Sequence, residues 1–367
     1  MKFIRIVVLG LSMSAAAHAQ TGIIGYYAGR ASTVDSFPVN KLTEIIFSFC
    51  HLRGNELAIN NAFDTARLRH LVDLKKTNPD LKVTLSLGGW GGCRTCSDVF
   101  RTRAGRKEFV RSVKRILQDF NVDGIDLDWE YPNLVNIPGY PYGPYDVNDF
   151  TWLVRRLRRV LGPRYVISFA AGGYTAYLER SIDWKRVMPY VTRVNLMTYD
   201  LVNGYDTVTG HHTPLYGSPG HPESVDHCVR WLEDHGVPDA KMAIGAAFYG
   251  RIFDGVDSAS DGLFQHGHFR SGISFRDISR VCSPDSGFVY HWDSIAKAPW
   301  LYNAAKRFFV TYDDSTSMRL KTEYVVAHHL NGVMFWQLGD DTYFRDGLLD
   351  DIYRSAGGAN TNHALHP

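Results

Sequence analysis

Three acidic residues at alternate positions stand out in the middle of the chain. Residues 123–132 read DGIDLDWEYP, so Asp126, Asp128 and Glu130 are spaced two apart. In a strand, alternate side chains share a face, and the three carboxyl groups should therefore line up together. Carboxylates this close in a dry interior raise the pKa of one member, which keeps a proton available near neutral pH. The spacing predicts a general acid, Glu130, with Asp128 as the neighbour that shares or redirects its proton.

Two other interpretations of these acids are weaker. A metal site would need further ligands converging from other motifs, and His211 and His212 have no ordered spacing to such ligands. An exposed edge strand conflicts with the apolar Ile125 and Leu127 that alternate with the acids. We therefore expect neither a metal nor a cofactor.

The elements that must position these acids alternate between strand-like and amphipathic helical runs. The predicted strands are Ile23–Ala28, Glu44–His51, Lys82–Leu87, Gly124–Trp129, Tyr165–Ala170, Arg193–Tyr199, Lys241–Phe248 and Gly332–Trp336. Helical segments include Thr65–Lys76, Arg106–Phe120, Asn148–Leu161, Ser224–His235 and Ser317–His329. Asp149 and Ser224 are predicted N-caps, and Gly162 and Gly236 predicted helix ends.

Eight strands alternating with helices predict an α/β protein, either a closed parallel barrel or a large doubly wound sheet. No dinucleotide-binding fingerprint follows the first strand, which favours the (β/α)8 TIM barrel. Glu130 then lies at the carboxyl end of the fourth strand, the face on which barrel enzymes build their active sites.

One interval, from about residue 251 to residue 311, interrupts the alternation with Gly, Ser, aromatic residues and short extended pieces. We expect a small α+β insertion here, between the seventh and eighth strands. The whole barrel domain is expected to span residues 20–356, and residues 357–367 are expected to form a disordered tail.

The first 19 residues have the features of a signal peptide. Lys2 and Arg5 precede an uncharged, largely apolar stretch, and small residues frame His18 at a cleavage site. Removing residues 1–19 deletes two of the 40 basic residues and none of the 38 acidic ones, which leaves equal numbers. Neutral charge argues against nucleic acid and against electrostatic membrane binding. We expect a secreted or periplasmic monomer.

Five cysteines do not make a disulfide scaffold in a chain of 367 residues. Cys93 and Cys96 form a CxxC in a Gly-rich loop, and no second pair completes a zinc site. A local structural disulfide is favoured over free thiols and over redox catalysis. Cys50 and Cys228 are expected to be buried thiols, and Cys282 has no evident partner.

The acidic run, Asp123-x-x-Asp126-x-Asp128-x-Glu130, resembles the catalytic signature of glycoside hydrolase family 18, the chitinase family. Other stretches match motifs of that family, in order along the predicted strands. They are SLGGW at 86–90, MTYD at 197–200, TGHHTPL at 209–215, FYGR at 248–251 and Trp336. The resemblance covers nearly the whole mature chain, and it includes the insertion that many members carry.

The resemblance implies a glycosidase without a protein nucleophile, in which the 2-acetamido group of the substrate attacks the anomeric carbon. By this analogy Glu130 is the acid, and Asp128 orients the acetamido group with support from Asp126. Tyr199 would hydrogen-bond the acetamido oxygen. The residues expected to bind the sugar are Tyr26, Phe49, Trp90, Met197, Asp200, Tyr249, Arg251 and Trp336. Trp129 and Phe47 are interpreted as barrel packing.

Three functions remain open. The first is hydrolysis of β-1,4 bonds between N-acetylglucosamine units of chitin or its oligosaccharides. The second is the same chemistry on the chitobiose core of N-glycans, by an endo-β-N-acetylglucosaminidase. The third is a non-catalytic glycan-binding protein, against which the presence of Glu130 counts. The loops and the insertion favour the chitinase.

Overall fold

The structure is a computed structural model that describes residues 21–135 and 137–358. The expected signal peptide (1–19) and residues 359–367 of the expected tail lie outside these ranges. Gly357 and Gly358, the first residues of that tail, hydrogen-bond back to Arg354 and Tyr353 at the end of the last helix. Within the described ranges, no helix is both long and apolar enough to cross a membrane.

Eight of the fourteen described strands form the barrel, which confirms the predicted fold. The barrel strands are β1 (Gly22–Tyr27), β2 (Glu44–Arg53), β4 (Lys82–Gly88), β5 (Gly124–Asp128), β6 (Val166–Gly172), β7 (Arg193–Met197), β8 (Met242–Ala247) and β14 (Gly332–Trp336). β3 (Glu56–Ala58) is an antiparallel partner of β2. All barrel neighbours pair in parallel, and β1 closes the ring by pairing with both β2 and β14. Each barrel strand begins and ends within two residues of its predicted bounds.

Helices surround the barrel. They are α1 (Ala62–Asp73), α2 (Cys96–Arg101), α3 (Arg103–Phe120), α4 (Tyr145–Leu161), α5 (Thr175–Arg180), α6 (Trp184–Val187), α7 (Val225–Asp234), α9 (Ser315–Ala327) and α10 (Leu348–Ser355), whereas α8 (Phe275–Val281) belongs to the insertion. A large apolar core lies between the outer faces of the barrel strands and the inner faces of these helices. The amphipathic helices α3, α4 and α7 bury an apolar stripe against the barrel, as expected for this architecture.

The helix ends agree with the sequence at three of four predicted positions. The Ser224 hydroxyl accepts a hydrogen bond from the backbone N–H of His227 and caps α7. Gly162 and Gly236 follow their helices with positive φ angles. Asp149 is not an N-cap, because α4 begins earlier, at Tyr145. Its buried carboxylate instead pairs with Arg106 of α3, at 3.0 Å.

The inside of the barrel carries polar as well as apolar side chains. Its apolar residues are Ile24, Tyr26, Ile46, Ala170, Met197, Ala243 and Met334. Buried polar residues on the barrel strands include Glu44, Thr84, Ser86, Asp126, Ser168, Arg193 and Asn195. Because buried polar groups without hydrogen bonds cost free energy, these side chains must be partners for one another.

The interval between β8 and β14 forms a separate five-stranded antiparallel sheet. Its strands are β9 (Tyr249–Asp254), β10 (His268–Ser274), β11 (Val289–Asp293), β12 (Ala298–Asn303) and β13 (Phe308–Thr311), in the order β10-β9-β13-β12-β11. Two small apolar clusters cover its two faces, and α8 lies against one of them. The sheet therefore has its own core, and it begins immediately after the seventh barrel strand.

A fully buried ion pair joins this insertion to the barrel. The Lys321 ammonium on α9 lies 2.7 and 2.8 Å from the two carboxylate oxygens of Asp313, and both side chains are 0% exposed. The ammonium also donates to the backbone oxygen and the hydroxyl of Thr213, in the loop after β7. Asp313 accepts from the backbone N–H of Ala247 at the end of β8. The pair thus ties three segments together beside the top of the barrel.

Replacing Lys321 by methionine should lower the free energy of unfolding by about 3–5 kcal/mol, because it leaves the Asp313 carboxylate buried and unpaired. Urea denaturation measures this loss. The variant Lys321→Met with Asp313→Leu should recover most of it. Arg319→Met is the control on the same helix, since its exposed ion pair with Glu323 should contribute less than about 1 kcal/mol. Equal losses for Lys321→Met and Arg319→Met would contradict this account.

Candidate active site

A cleft of about 1240 Å³ opens at the carboxyl ends of the barrel strands. Ten of the twelve residues predicted for the site line it: Phe49, Trp90, Asp128, Glu130, Met197, Tyr199, Asp200, Tyr249, Arg251 and Trp336. The insertion contributes a further part of the wall with Phe269, Gly272, Ile273 and Ser274. The cleft is therefore shared between the barrel and the insertion.

Asp126 lies below the cleft, fully buried inside the barrel. Its Oδ2 accepts hydrogen bonds from Tyr26 (2.9 Å) and Ser86 (2.8 Å), and its Oδ1 from Ser168 (2.7 Å) and Asn195 (3.1 Å). Ser86 and Ser168 stand directly beside Asp126 in the parallel register of β4, β5 and β6. Burial raises the pKa of Asp126, while the hydrogen bonds from Ser168, Ser86 and Tyr26 oppose that rise.

Tyr26 is not where the sequence placed it. We expected a sugar-binding residue near the rim, but its side chain is buried and its hydroxyl donates to Asp126. Tyr26 therefore supports Asp126 from below and does not line the cleft. The side chain falls there because β1 contributes residue 26 to the inner face of the barrel, where it packs with Ile24 and Ile46.

Asp128 is the next acid along β5 and reaches the cleft floor. Burial, Glu130 and Asp126 together raise its pKa well above the usual range. Its Oδ1 is buried and has no hydrogen-bond partner among the described residues. Since buried polar atoms are normally satisfied, this oxygen is suited to a polar group of a ligand.

Glu130 follows β5 and lines the same cleft. Burial raises its pKa to about 7, with the charge of Asp200 adding to the rise and a hydrogen bond with Tyr131 opposing it. At neutral pH a large fraction of Glu130 therefore carries a proton, as general acid catalysis requires. Tyr199 stays a phenol, because burial and the charges of Asp128 and Glu130 raise its pKa well above the usual range.

Asp200 has the opposite electrostatic environment. Arg251 binds both of its oxygens, with Nε–Oδ1 at 2.7 Å and Nη2–Oδ2 at 2.6 Å. Nδ1 of the buried His212 lies 3.6 Å from Oδ1, slightly beyond hydrogen-bond distance. Burial alone would raise the pKa of Asp200, but His212 and Arg251 outweigh it and hold the pKa well below its usual range. Asp200 is thus a fixed negative charge beside a carboxyl that titrates near neutrality.

Aromatic side chains form the floor and one wall of the cleft. Trp336 stacks on Phe49, with ring centroids 5.5 Å apart and planes inclined by 14°. Trp90 is 53% exposed, and its ring lies 6.3 Å from that of Tyr205. Flat, partly exposed rings of this kind stack against the C–H faces of sugars.

The comparison with known proteins gives the family. The family model for glycosyl hydrolases family 18 matches residues 22–341. The chain belongs to this family.

Three family 18 relatives are informative. Chitinase A1 of Niallia circulans is 34% identical over 298 residues, which cover 75% of this chain but 42% of that protein. Chitinase B of Serratia marcescens is 28% identical, with 92% of this chain and 82% of that protein covered. A solved structure, a family 18 N-acetylglucosaminidase from Paenibacillus barengoltzii, is 35% identical with a TM-score of 0.82, covering 91% of this chain and 99% of that one. The chain thus spans less than half the length of the first relative and most of the other two.

Several residues of this family 18 site were not predicted. The donor Asn195 shares the inner face of β7 with the polar Arg193. The donor Ser168 is an isolated polar residue on the otherwise apolar strand β6. That isolation is a usable signal. The unpredicted cleft residues include Tyr131, Tyr174, Tyr205, Asp206, Glu223 and Asp340, which lie on loops where no periodicity marks them.

The cysteines take no part in the acidic site. Cys93 and Cys96 are joined by a disulfide in the loop that also carries Trp90. Cys50, Cys228 and Cys282 are buried free thiols. Across residues 21–135 and 137–358, no group of three His, Cys, Asp or Glu side chains could hold a metal ion. The ionisable side chains that line the cleft are acids, tyrosines and Arg251.

The Glu130 carboxyl should titrate with an apparent midpoint of about 7. NMR of protein with 13C-labelled glutamate side chains measures this, and the spectrum of Glu130→Gln identifies the resonance. In Asp200→Asn the midpoint should fall, because a negative charge is lost and Arg251 is left unpaired. A midpoint in the wild type near the ordinary value of about 4.3 would contradict this assignment.

Proposed function

We propose that this protein hydrolyses β-1,4 bonds between N-acetylglucosamine units of chitin or chitooligosaccharides, with retention of configuration and with the substrate's acetamido group as nucleophile. The observation that carries the proposal is a protonatable Glu130 beside Asp128 on the floor of a family 18 cleft. Relatives named chitinase and N-acetylglucosaminidase support the sugar specificity.

In this proposal Glu130 donates its proton to the glycosidic oxygen as the bond to the leaving sugar breaks. Asp128 interacts with the acetamido N–H through its unpartnered Oδ1 and stabilises the positive charge of the oxazolinium intermediate. Tyr199 holds the acetamido oxygen, since the only contact of its hydroxyl among the described residues is a long one, 3.9 Å to Met334 Sδ. Asp126 supports Asp128 from below.

The cleft walls supply binding. Trp336, stacked on Phe49, forms the apolar floor under the sugar whose bond is broken. Asp200 and Arg251 contact sugar hydroxyls. The insertion, about residues 251–311, acts as a cleft wall through Phe269 and Ile273, so that longer oligosaccharides gain contacts there.

A protein nucleophile is poorly supported. In ordinary retaining glycosidases the second carboxyl faces the acid across the scissile bond, about 5 Å away. Asp128 is two residues before Glu130 on the same chain segment and approaches a sugar from the same side. Asp200 is held by Arg251 through both oxygens. The nucleophile therefore has to come from the substrate or from water, and the proposal assigns it to the acetamido group of the substrate.

Glu130→Gln should lower hydrolysis of a chitooligosaccharide by at least ~10²-fold while its binding survives, because glutamine keeps the shape but cannot donate a proton. Initial rates and calorimetric binding on the same preparation measure both properties. Glu323→Gln is the control, since Glu323 is exposed on the outer helix α9. Near-normal turnover by Glu130→Gln would remove Glu130 from the mechanism.

Substrate assistance makes a separate prediction about products. The acetamido oxygen attacks the face opposite the leaving sugar, and water then attacks the face that the leaving sugar has vacated. The initial products are therefore β-configured, and the reaction requires the 2-acetamido group. Proton NMR should detect the β-anomer first, and the matching cellulose oligosaccharides should not be cleaved. Asp128→Asn and Tyr199→Phe should each slow the reaction. An α-anomer appearing first, or a glycosyl ester trapped on a carboxylate, would rule this mechanism out.

The remaining alternatives concern the substrate. Product analysis of chitooligosaccharides beside a high-mannose glycopeptide separates a chitinase from an endo-β-N-acetylglucosaminidase, because only the latter releases the N-glycan. A lectin would bind both without turnover. We further propose that the protein is exported after loss of residues 1–19 and acts as a monomer, without nucleic acid or membrane as a partner.

A further inference from the structure

A second buried ion pair lies deeper in the barrel, below Asp126. Arg193 on β7 binds both oxygens of Glu44 on β2, with Nη1–Oε2 and Nη2–Oε1 each at 2.9 Å. The hydroxyl of Thr84 donates to the same carboxylate at 2.8 Å. Both charged side chains are almost fully buried. Replacing a buried pair of this kind by apolar residues is often neutral or stabilising, so stability alone does not account for it.

The Arg193 guanidinium makes one further hydrogen bond, to Asn195, and Asn195 in turn contacts Asp126. Arg193 Nε donates to Asn195 Oδ1 at 2.7 Å. The amide oxygen of Asn195 is thereby held toward Arg193, and the NH2 group toward Asp126 Oδ1 (3.1 Å) and the Tyr26 oxygen (3.3 Å). Either orientation of an asparagine amide fills the same space, so a neighbouring donor decides which end faces a carboxylate.

We propose that Arg193, held in place by Glu44, is a positioning residue that orients Asn195 so that Asp126 stays an ionised acceptor throughout the reaction. The inference rests on the proposed function, in which Asp126 supports Asp128. Arg193 touches neither the cleft nor a reacting atom. Its hydrogen-bonded path to Asp126 runs through the Asn195 amide, and its charge also lowers the pKa of Asp126 directly.

The groups that face Asp126 from each strand show why one donor matters. Tyr26 comes from β1, Arg193 with its partner Glu44 from β7 and β2, and Asp128 from β5 itself. The Tyr199 phenol lies above them. The remaining neighbours, on β4 and β6, are serine hydroxyls. Asp128 repels an ionised Asp126, whereas the Arg193 charge favours it, although Arg193 is paired with Glu44. Hydrogen-bond donors are therefore what favours an ionised Asp126, so that the proton of the pair lies on Asp128 until Asp128 shares it with Glu130 after bond cleavage.

Loss of the Asn195 donor should raise the apparent pKa of the Asp126–Asp128 pair. It disfavours the ionised form of Asp126 and raises the pH at which the Asp126–Asp128 pair gives up its first proton. The acidic limb of kcat/KM should move up by ~1 pH unit, the size expected for one hydrogen bond to a charged group. The alkaline limb, set by Glu130, should stay in place.

The experiment is the pH profile of kcat/KM on a chitooligosaccharide for four proteins. These are the wild type, Asn195→Leu, the paired variant Arg193→Met with Glu44→Leu, and the control Arg106→Met with Asp149→Leu. The control removes another largely buried ion pair, between α3 and α4 outside the barrel. We expect the acidic limb to shift in the two test variants and to stay unchanged in the control, with oligosaccharide binding at neutral pH retained in all four.

A folded Arg193→Met, Glu44→Leu variant with the wild-type acidic limb would overturn the inference. If that variant does not fold, Asn195→Leu decides the question, because Asn195 is the link between Arg193 and Asp126. An acidic limb in Asn195→Leu at the wild-type position would then overturn the inference. A shift of equal size in the control would also overturn it, since the effect would then be general destabilisation. If the wild type does not cleave the oligosaccharide at all, the proposed function is wrong. That result does not bear on the contacts from Arg193 through Asn195 to Asp126.

Discussion

The structure depends on a carboxylate placed where water cannot reach it. Asp126 sits on the inner face of a closed barrel, and a buried charge is tolerated only when hydrogen bonds replace its hydration. Four strands each supply one donor: Tyr26 from β1, Ser86 from β4, Ser168 from β6 and Asn195 from β7. A one-residue slip of any of these strands would turn its donor to the outer face. The carboxylate therefore constrains the register of half the barrel.

The ionisable groups inside the barrel are layered along its axis. At the bottom, Glu44 and Arg193 neutralise each other. In the middle, Asp126 is satisfied by neutral donors. At the top, Asp128 and Glu130 meet the cleft with raised pKa values, while Asp200 beside them has a lowered one because Arg251 binds it. Neighbouring carboxyls driven in opposite directions are a recurrent basis for separate acid and charge-holding roles. The carboxyl group at the bottom of the barrel is paired with a cation, whereas burial raises the pKa values of Asp128 and Glu130 at the top. The raised pKa values of these two groups are what leaves a proton at the cleft floor.

Much of this could be predicted from the sequence, because the signals were local. The period-two spacing of the acids fixed their shared face, and strand-length apolar runs gave all eight barrel strands. What failed depended on tertiary contacts. Tyr26 turns inward to donate a hydrogen bond to Asp126, 100 positions away, and Asp149 pairs with Arg106, 43 positions away. The order of the five insertion strands is likewise set by non-local pairing. The partnership of Glu44 and Arg193, 149 residues apart, has no local signature at all.

The buried ion pairs Lys321–Asp313 and Arg193–Glu44 have different consequences because of where their hydrogen bonds lead. Lys321 and Asp313 contact Thr213 and Ala247, backbone segments that carry His212 on one side and lead to Tyr249 on the other. That pair fixes the positions of two loops and the insertion around the cleft. Its loss should therefore lower the free energy of unfolding and change the shape of the cleft. Arg193 and Glu44 contact Asn195 and, through it, a single carboxylate. Packing of the outer shell does not depend on that contact. Lys321 and Asp313 thus hold the cleft together, while Arg193 and Glu44 influence the protonation of its floor. Because the two pairs are separate, the stability of the cleft and the protonation of its floor can be altered independently.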